Sequence, residues 1–138
     1  ASGGVVAPLL PGTAFSLKEP YARGRDMIDH GCAVALATDL NPGSCFSESI
    51  PLLFALATLH MNLTTEEAIT ALTINGAAAL DRTDTIGSID IGKQGDLILL
   101  EFPSYHFIPY HIGVNTVERV IKQGNLVYDR RKGGINYC

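Results

Sequence analysis

The sequence predicts an α/β fold, because strand-like and helix-like segments alternate in its first part while strand-like segments dominate its last part. Two short apolar runs, at 5–10 and 33–38, flank a segment of helical character. This order predicts a strand–helix–strand unit, for which a right-handed crossover is the strong default. Beyond residue 81 a glycine-punctuated stretch and further apolar runs predict antiparallel β structure. We therefore expect one part over residues 1–81 and a β-rich part over 82–138.

The first strand and helix are bounded by proline and glycine. The run from Val5 to Leu10 stops at Pro11-Gly12, which predicts a turn. Pro20 suits the first turn of a helix, and His30-Gly31 is typical of a helix C-terminus. The run that begins at Ala33 contains small and β-branched residues, which favour a strand buried on both faces.

Two more helices are expected before residue 81. Apolar residues recur at helical spacing over 47–60 and predict a buried helix ending at His60. The segment Thr64-Thr-Glu-Glu67 matches a capping box and predicts the start of a second helix that runs to about Leu80.

The last part of the chain has the pattern of a small β unit. Glycines punctuate 86–96, and strand-like runs follow at 97–100 and 117–128. A turn at 122–125 interrupts the second run. Three aromatic residues lie between these runs, namely Tyr105, Phe107 and Tyr110. They suit either a subunit contact or packing inside the β unit.

Composition excludes several classes of function. The net charge is −4, and no apolar stretch approaches the roughly 18 residues of a membrane span, so neither nucleic acid nor a membrane is an expected partner. We expect the basic cluster Arg130-Arg-Lys132 to be a solvated tail. Because the chain opens without an initiator methionine, we expect it to be part of a longer protein.

The cysteines favour a reducing compartment. Cys32, Cys45 and Cys138 are odd in number and lack paired spacing, which argues against a disulfide framework and a zinc knuckle. We therefore expect a cytoplasmic protein. Cys45 is expected to be a packed thiol without a catalytic role.

A candidate site follows the second strand. Asp39 ends the apolar run, and in α/β sheets the loops that leave the C-terminal strand ends surround the pocket. Asn41 offers an amide that donates and accepts, while Gly43 and Ser44 offer backbone N–H groups and a hydroxyl suited to a carboxylate or ring amide. Taken alone, Asp39 is more typical of a cap of the next turn, and Asn41 and Ser44 are ordinary turn residues.

Histidines do not complete a metal site in this sequence. We expect structural roles at helix ends, on a helix face and between strands for all four of them: His30, His60, His106 and His111.

Four motifs together resemble the C-terminal third of the imidazolonepropionase family, within the metal-dependent amidohydrolase superfamily. They are Leu10-Pro-Gly-Thr-Ala-Phe-Ser16, Ala37-Thr-Asp-Leu-Asn-Pro-Gly-Ser44, the stretch from Gly87 through Gly92-Lys-Gln-Gly-Asp-Leu97, and Pro109-Tyr-His-Ile-Gly-Val-Asn115. The Gly-Lys-x-x-Asp-Leu element marks the superfamily broadly, whereas the second and fourth motifs are more specific. The similarity covers nearly the whole chain, from Val5 to Tyr128.

The resemblance implies a fold and an activity. The fold is the C-terminal part of a (β/α)8 TIM barrel, with its last two strands, plus the C-terminal share of a small β-sandwich. The activity is hydrolysis of the cyclic amide of 4-imidazolone-5-propanoate to N-formimidoyl-L-glutamate in histidine degradation. The resemblance also implies one divalent or trivalent metal ion, zinc or iron, and it leaves a homodimer open.

The resemblance assigns roles to four residues of the candidate loop. Asp39 would hold the metal and take a proton from water, and Asn41, Gly43 and Ser44 would bind the substrate. The family's His-x-His pair on the first strand and its histidine from a middle strand have no counterpart here, so we expect the chain alone to be inactive.

Two alternatives stay open. Another cyclic amidohydrolase or deaminase would share Asp39 and the 92–97 element without needing Asn41-Pro-Gly-Ser44. A noncatalytic interaction domain would keep the fold and bind no metal.

Overall fold

The computed structural model describes residues 4–135, and in them the chain forms two separate sheets. The first part contains β1 (Val6–Leu9), α1 (Pro11–Leu17), α2 (Gly24–Asp29), β2 (Ala33–Leu36), α3 (Ile50–His60), α4 (Thr65–Leu72) and α5 (Ile74–Ala79). The second part contains β3 (Leu97–Leu100), α6 (Phe107–Tyr110), β4 (Val117–Lys122), β5 (Asn125–Asp129), a 3₁₀ turn (Arg130–Lys132) and β6 (Gly134–Ile135).

Strands β1 and β2 form a parallel pair. Leu9 is in register with Leu36, and the N–H of Ala37 donates to the carbonyl of Leu9 at 3.1 Å. Both strands therefore end at the same edge, as expected for a strand–helix–strand unit. The predicted α/β fold class is confirmed, although β2 ends two residues before the predicted end of the run.

The main core lies between this parallel pair and helices α3 and α4. It contains Leu9, Val34, Leu36, Phe54, Ala57, Met61, Leu63, Ala68, Ala71 and Ile108. The prediction of a buried helix over 47–60 is confirmed, since Leu53 and Phe54 are fully buried in α3. This helix begins after Ser49, whose hydroxyl accepts from the N–H of Leu52 at 3.3 Å.

The capping box at the start of α4 is also confirmed. The hydroxyl of Thr64 accepts from the N–H of Glu67 at 3.2 Å, and the Glu67 carboxylate accepts from the N–H of Thr64 at 2.8 Å. These two bonds satisfy backbone donors that the first turn of a helix leaves without a partner.

Three local predictions were wrong. Pro11 begins helix α1 instead of a turn, in the N-terminal position that suits its missing N–H. The helix expected from Pro20 begins only at Gly24, and in the segment before it the ring of Tyr21 stacks on His60 with centroids 4.7 Å apart. The helix expected up to Leu80 is interrupted at Thr73, whose backbone leaves the helical region at φ −115° and ψ −93°.

The second sheet is antiparallel, in the order β3-β4-β5-β6. The β4–β5 hairpin turns through Gln123 and Gly124, both with positive φ, which is typical of a two-residue hairpin loop. Asp96 holds this turn, since its carboxylate accepts from the N–H of Gln123 at 2.9 Å and pairs with Lys122. The element at 92–97 therefore stabilises the turn between β4 and β5.

The aromatic segment between β3 and β4 packs on the helices. Ile108 of α6 is part of the main core, and Tyr105 packs against it. Phe102 stacks on Phe107 and on His111, with centroids 4.6 and 4.8 Å apart. The aromatic segment was expected to pack inside the β unit, but it packs in a core that the β unit shares with the helices of the first part. A subunit contact by this segment stays a prediction.

The basic cluster Arg130–Lys132 is exposed, as expected, but it forms an ion-paired turn instead of a tail. Arg130 pairs with Glu101 at 2.7 Å, and Arg131 pairs with Glu118 at 2.6 Å. Of the cysteines, Cys32 is exposed and Cys45 buried, both as free thiols, while Cys138 lies outside the described residues. None of the helices in the described part of the chain has the length and apolar character needed to cross a membrane.

Candidate active site

Asp39 lies three residues beyond the end of β2, at the edge where both parallel strands end. Its backbone is left-handed, with φ 51°, and its side chain is half-buried. Two hydroxyl groups donate to the same carboxylate oxygen, Oδ2: Thr13 Oγ1 at 2.9 Å and Ser44 Oγ at 3.3 Å. Thr13 belongs to α1, so the carboxylate joins the segments that follow the two strands.

Asn41 closes the loop that follows Asp39. Its Oδ1 accepts from the backbone N–H groups of Gly43 and Ser44, each at 2.8 Å. Its Nδ2 donates to the carbonyl of Asp39 at 2.6 Å and to Ser44 Oγ at 2.8 Å. The loop is therefore held in one conformation by the amide of a single side chain, as in an Asx turn.

The four predicted site residues thus meet in one loop, with one difference from expectation. The sequence suggested that the N–H groups of Gly43 and Ser44 are available to a ligand, but both already donate to Asn41 Oδ1. The exposed backbone at Pro42 and Gly43 and the hydroxyl of Ser44 remain at the surface of the loop. The role of these residues in binding substrate stays a prediction.

An apolar floor supports the loop. Cys45 and Leu53 are 2% and 0% exposed, and Pro11 is also fully buried. The N–H of Asn41 donates to the carbonyl of Cys45 at 3.0 Å, which anchors the loop to this floor. Cys45 is thus a packed thiol, as predicted from the sequence.

The clearest charge effects in the structure lie outside this loop. The Arg25 guanidinium, which forms two hydrogen bonds to Glu67, lowers the pKa of that carboxyl below its usual value. A hydrogen bond from Lys122 does the same for the pKa of Asp96. Both pairs join neighbouring elements, so they belong to the scaffold.

Asp39 fits a metal ion as one ligand. Both hydrogen bonds that the described residues make to its carboxylate end on Oδ2, and carboxylate oxygen is a donor that zinc and iron both accept. Within residues 4–135 no group of three or more His, Cys, Asp or Glu side chains is placed to hold a metal. The role of Asp39 as a metal ligand stays a prediction.

The histidines have the structural roles that the sequence predicted. His30 ends α2, with Nδ1 2.7 Å from the carbonyl of Asp26. The others engage neighbours in the scaffold: His60 with Tyr21, His106 with Thr65, and His111 with Phe102.

Thr13 is the site residue that sequence reasoning missed. Its signal was present, since it lies four residues beyond the end of β1 while Asp39 lies three beyond the end of β2. In a parallel pair such offsets bring side chains to the same edge.

A half-buried carboxylate with an ordered loop, at the carboxyl edge of a parallel α/β unit, is the arrangement on which barrel enzymes build their active sites. The pattern of the Amidohydrolase family matches residues 5–127, and the chain belongs to that family. Among its relatives, the imidazolonepropionase of Bacteroides fragilis is 71% identical over 126 residues, and that of Porphyromonas gingivalis is 66% identical over 128.

These alignments cover 91% and 93% of the chain. The chain spans 30% of the length of each of these curated relatives. The fold also matches solved structures. An adenosine deaminase from Xanthomonas campestris with bound zinc superposes with a TM-score of 0.79 over 97% of this chain and 34% of its own, at 22% identity.

Proposed function

We propose that the protein carrying this chain hydrolyses the cyclic amide of 4-imidazolone-5-propanoate to N-formimidoyl-L-glutamate, a step of histidine degradation. The observation that carries the proposal is 71% identity over 126 residues to an imidazolonepropionase. The geometry supports it, because the loop from Asp39 to Ser44 is ordered at the strand edge where such chemistry takes place.

The reaction adds water across the ring amide. The oxygen of water bonds to the carbonyl carbon, the carbon–nitrogen bond breaks, and the ring nitrogen receives a proton. The Asp39 carboxylate would accept the proton that water gives up. Two observations support this role: hydroxyl donors hold one of its oxygens, and the residue remains half-exposed.

Zinc or iron would be held in part by Asp39 and would lower the pKa of a coordinated water toward about 7. Asn41 keeps the loop in shape through its contacts with Gly43 and Ser44. The Ser44 hydroxyl, which already donates to Asp39, would align the substrate beside that carboxylate. We also propose the cytoplasm as the place of action, because the odd number of cysteines without paired spacing favours a reducing compartment.

Asp39→Asn in the intact protein tests the proposal. Asparagine adopts the left-handed backbone as readily as aspartate, so the loop should keep its conformation while losing the charge. Loss of imidazolonepropionate is followed by ultraviolet absorbance, and bound metal by elemental analysis. We expect turnover to fall at least about 100-fold, together with bound metal.

Asp81→Asn is the matched control, because Asp81 is exposed and has the same left-handed backbone, with φ 54°. It should keep full activity. Full turnover in Asp39→Asn would contradict the role given to Asp39, and absence of turnover in the wild-type protein would contradict the proposed activity. A wild-type protein that binds metal but does not hydrolyse this substrate would point to another cyclic amidohydrolase or deaminase. A wild-type protein that binds no metal would point to an interaction domain.

A further inference from the structure

Thr13 makes an unusual contact for a threonine in a helix. Two helical threonines of this chain donate back to the carbonyl four residues earlier: Thr58 to Phe54 at 3.2 Å and Thr70 to Glu66 at 2.7 Å. Such back-bonding is the usual choice for this side chain.

Thr13 differs because it lies in the first turn of α1, so that the carbonyl four residues before it belongs to the preceding strand. The carbonyl four residues before it belongs to Leu9, which accepts the N–H of Ala37 from the neighbouring strand. The Thr13 hydroxyl instead donates across 26 residues to Asp39 Oδ2, at 2.9 Å. The parallel pairing of β1 and β2 thus directs a hydroxyl from one strand end to the carboxylate at the next.

The contact fixes how the carboxylate is turned. Thr13 and Ser44 both donate to Oδ2, and of these two bonds that of Thr13 is shorter, 2.9 against 3.3 Å. A carboxylate that accepts two hydrogen bonds on one oxygen cannot rotate freely. Its other oxygen, Oδ1, therefore points in a constant direction. Ser44 also accepts from Asn41, whereas Thr13 comes from a separate element and so couples α1 to the site.

We propose that Thr13 is a positioning residue that orients the Asp39 carboxylate for its metal and for the attacking water. The inference rests on the proposed function, in which Asp39 is a metal ligand. Partners of this kind behind a ligand change metal affinity or activity by about 10- to 100-fold when removed.

Thr13→Val in the intact protein tests the inference, since valine keeps the shape and removes the hydroxyl. Zn²⁺ is titrated into metal-free protein by calorimetry, and kcat and KM are measured on the reloaded enzyme. We expect the zinc Kd to rise about 10-fold and kcat to fall about 10-fold, with KM changing less than about twofold. Thr13→Ser, which keeps the hydroxyl, should restore both quantities to within about twofold of wild type.

Thr58→Val is the matched control, because it removes a half-buried helical hydroxyl that contacts only its own helix. It should leave zinc affinity unchanged. Wild-type zinc affinity in Thr13→Val, or an equal loss in Thr13→Ser, would overturn the inference. If Thr13→Val does not fold, Thr13→Ala takes its place under the same criteria. If the wild-type protein binds zinc but does not hydrolyse imidazolonepropionate, the proposed function fails while the inference about Thr13 does not. The zinc titration still tests that inference.

Discussion

Gly12 lies where helix α1 packs against the loop of Asp39. A Cβ at this position would lie 2.8 Å from the Sγ of Cys45 and 3.5 Å from Leu53. Cys45 is buried and anchors the loop through its carbonyl, so it cannot move without shifting the site. We expect Gly12→Ala to destabilise the intact protein by about 1–3 kcal/mol, the usual cost of overpacking, and to lower kcat. Thermal unfolding and steady-state kinetics measure the two effects.

The double variant Gly12→Ala, Cys45→Ala isolates the cause. Removing Sγ makes room for the new methyl group, while Leu53 stays at an ordinary contact distance. The double variant should therefore be more active than Gly12→Ala alone. If the loss of activity in the double variant equals the sum of the losses in Gly12→Ala and Cys45→Ala, the contact with Cys45 is not what excludes a side chain at Gly12.

At the residue scale the sequence predicted which side chains meet but not how they bond. The motif at 37–44 pointed to Asp39, Asn41, Gly43 and Ser44, and the structure brings them together. The use of both N–H groups by Asn41 depends on the turn that the loop adopts. The bond from Thr13 depends on the pairing of two strands, which local sequence patterns do not specify.

Helices α2 and α4 are joined by an ion pair of defined geometry. Arg25 makes two hydrogen bonds to Glu67, at 2.7 and 2.9 Å, and Glu67 also accepts from the N–H of Thr64. Because these donors favour the charged carboxylate, the pKa of Glu67 is lowered. We expect Glu67→Gln to lower the protection of α4 amides by about 1 kcal/mol at pH 7, as measured by native-state hydrogen exchange in the intact protein.

The sign of the pH dependence follows from that lowered pKa. A carboxyl whose folded pKa lies below the unfolded value of about 4.3 stabilises the fold fully above that value, and the contribution is lost as pH falls through the folded pKa. The difference between wild type and Glu67→Gln should therefore be constant from pH 8 to about pH 5 and shrink below it. Glu19→Gln, at an exposed position, should show no difference at any pH. A pH-independent difference for Glu67 would show that the effect does not depend on the charge of its carboxylate.

At the element scale, patterns with local causes were predictable and those with distant causes were not. The capping box at Thr64 and the buried helix α3 follow from spacing within one segment. The break at Thr73 lies beside a distant segment, where Gly87, with φ 92°, comes so close to α5 that a Cβ there would be 2.6 Å from Ala77. The amide of Asn75 also donates to the carbonyl of Val34 in β2, at 2.9 Å.

At the scale of the whole molecule, the two sheets share one core but leave apolar surface uncovered. Ile108, from the connection between β3 and β4, packs among residues of α3 and α4. A cleft of about 730 Å³ lies between the parallel pair, α5 and the 86–98 stretch, and Leu36, Ala77 and Leu97 are among the residues that line it. Several large apolar side chains remain exposed: Phe46 83%, Ile89 85%, Ile91 107% and Ile98 56%.

These exposed surfaces predict how residues 1–138 behave when produced without any other segment of the protein. A parallel sheet normally has both faces covered, yet the described residues supply a single parallel pair, β1 with β2. Apolar patches of this kind drive association. We expect the isolated chain to bind a hydrophobic dye, to associate as its concentration rises, and to lack zinc and turnover, because residues 4–135 place no group of three or more His, Cys, Asp or Glu side chains to hold a metal. Sedimentation velocity and dye fluorescence measure the first two properties.

Ile98→Thr provides the matched variant for that experiment. Ile98 lies on β3 with more than half of its surface exposed, and threonine keeps the strand preference while removing apolar area. In the isolated chain this change should weaken dye binding and self-association. In the intact protein we expect the same change to be unfavourable and to lower the stability. The relatives are about three times as long as this chain, so the face of Ile98 would then be covered. A monomeric, dye-free isolated chain would show instead that these surfaces need no cover.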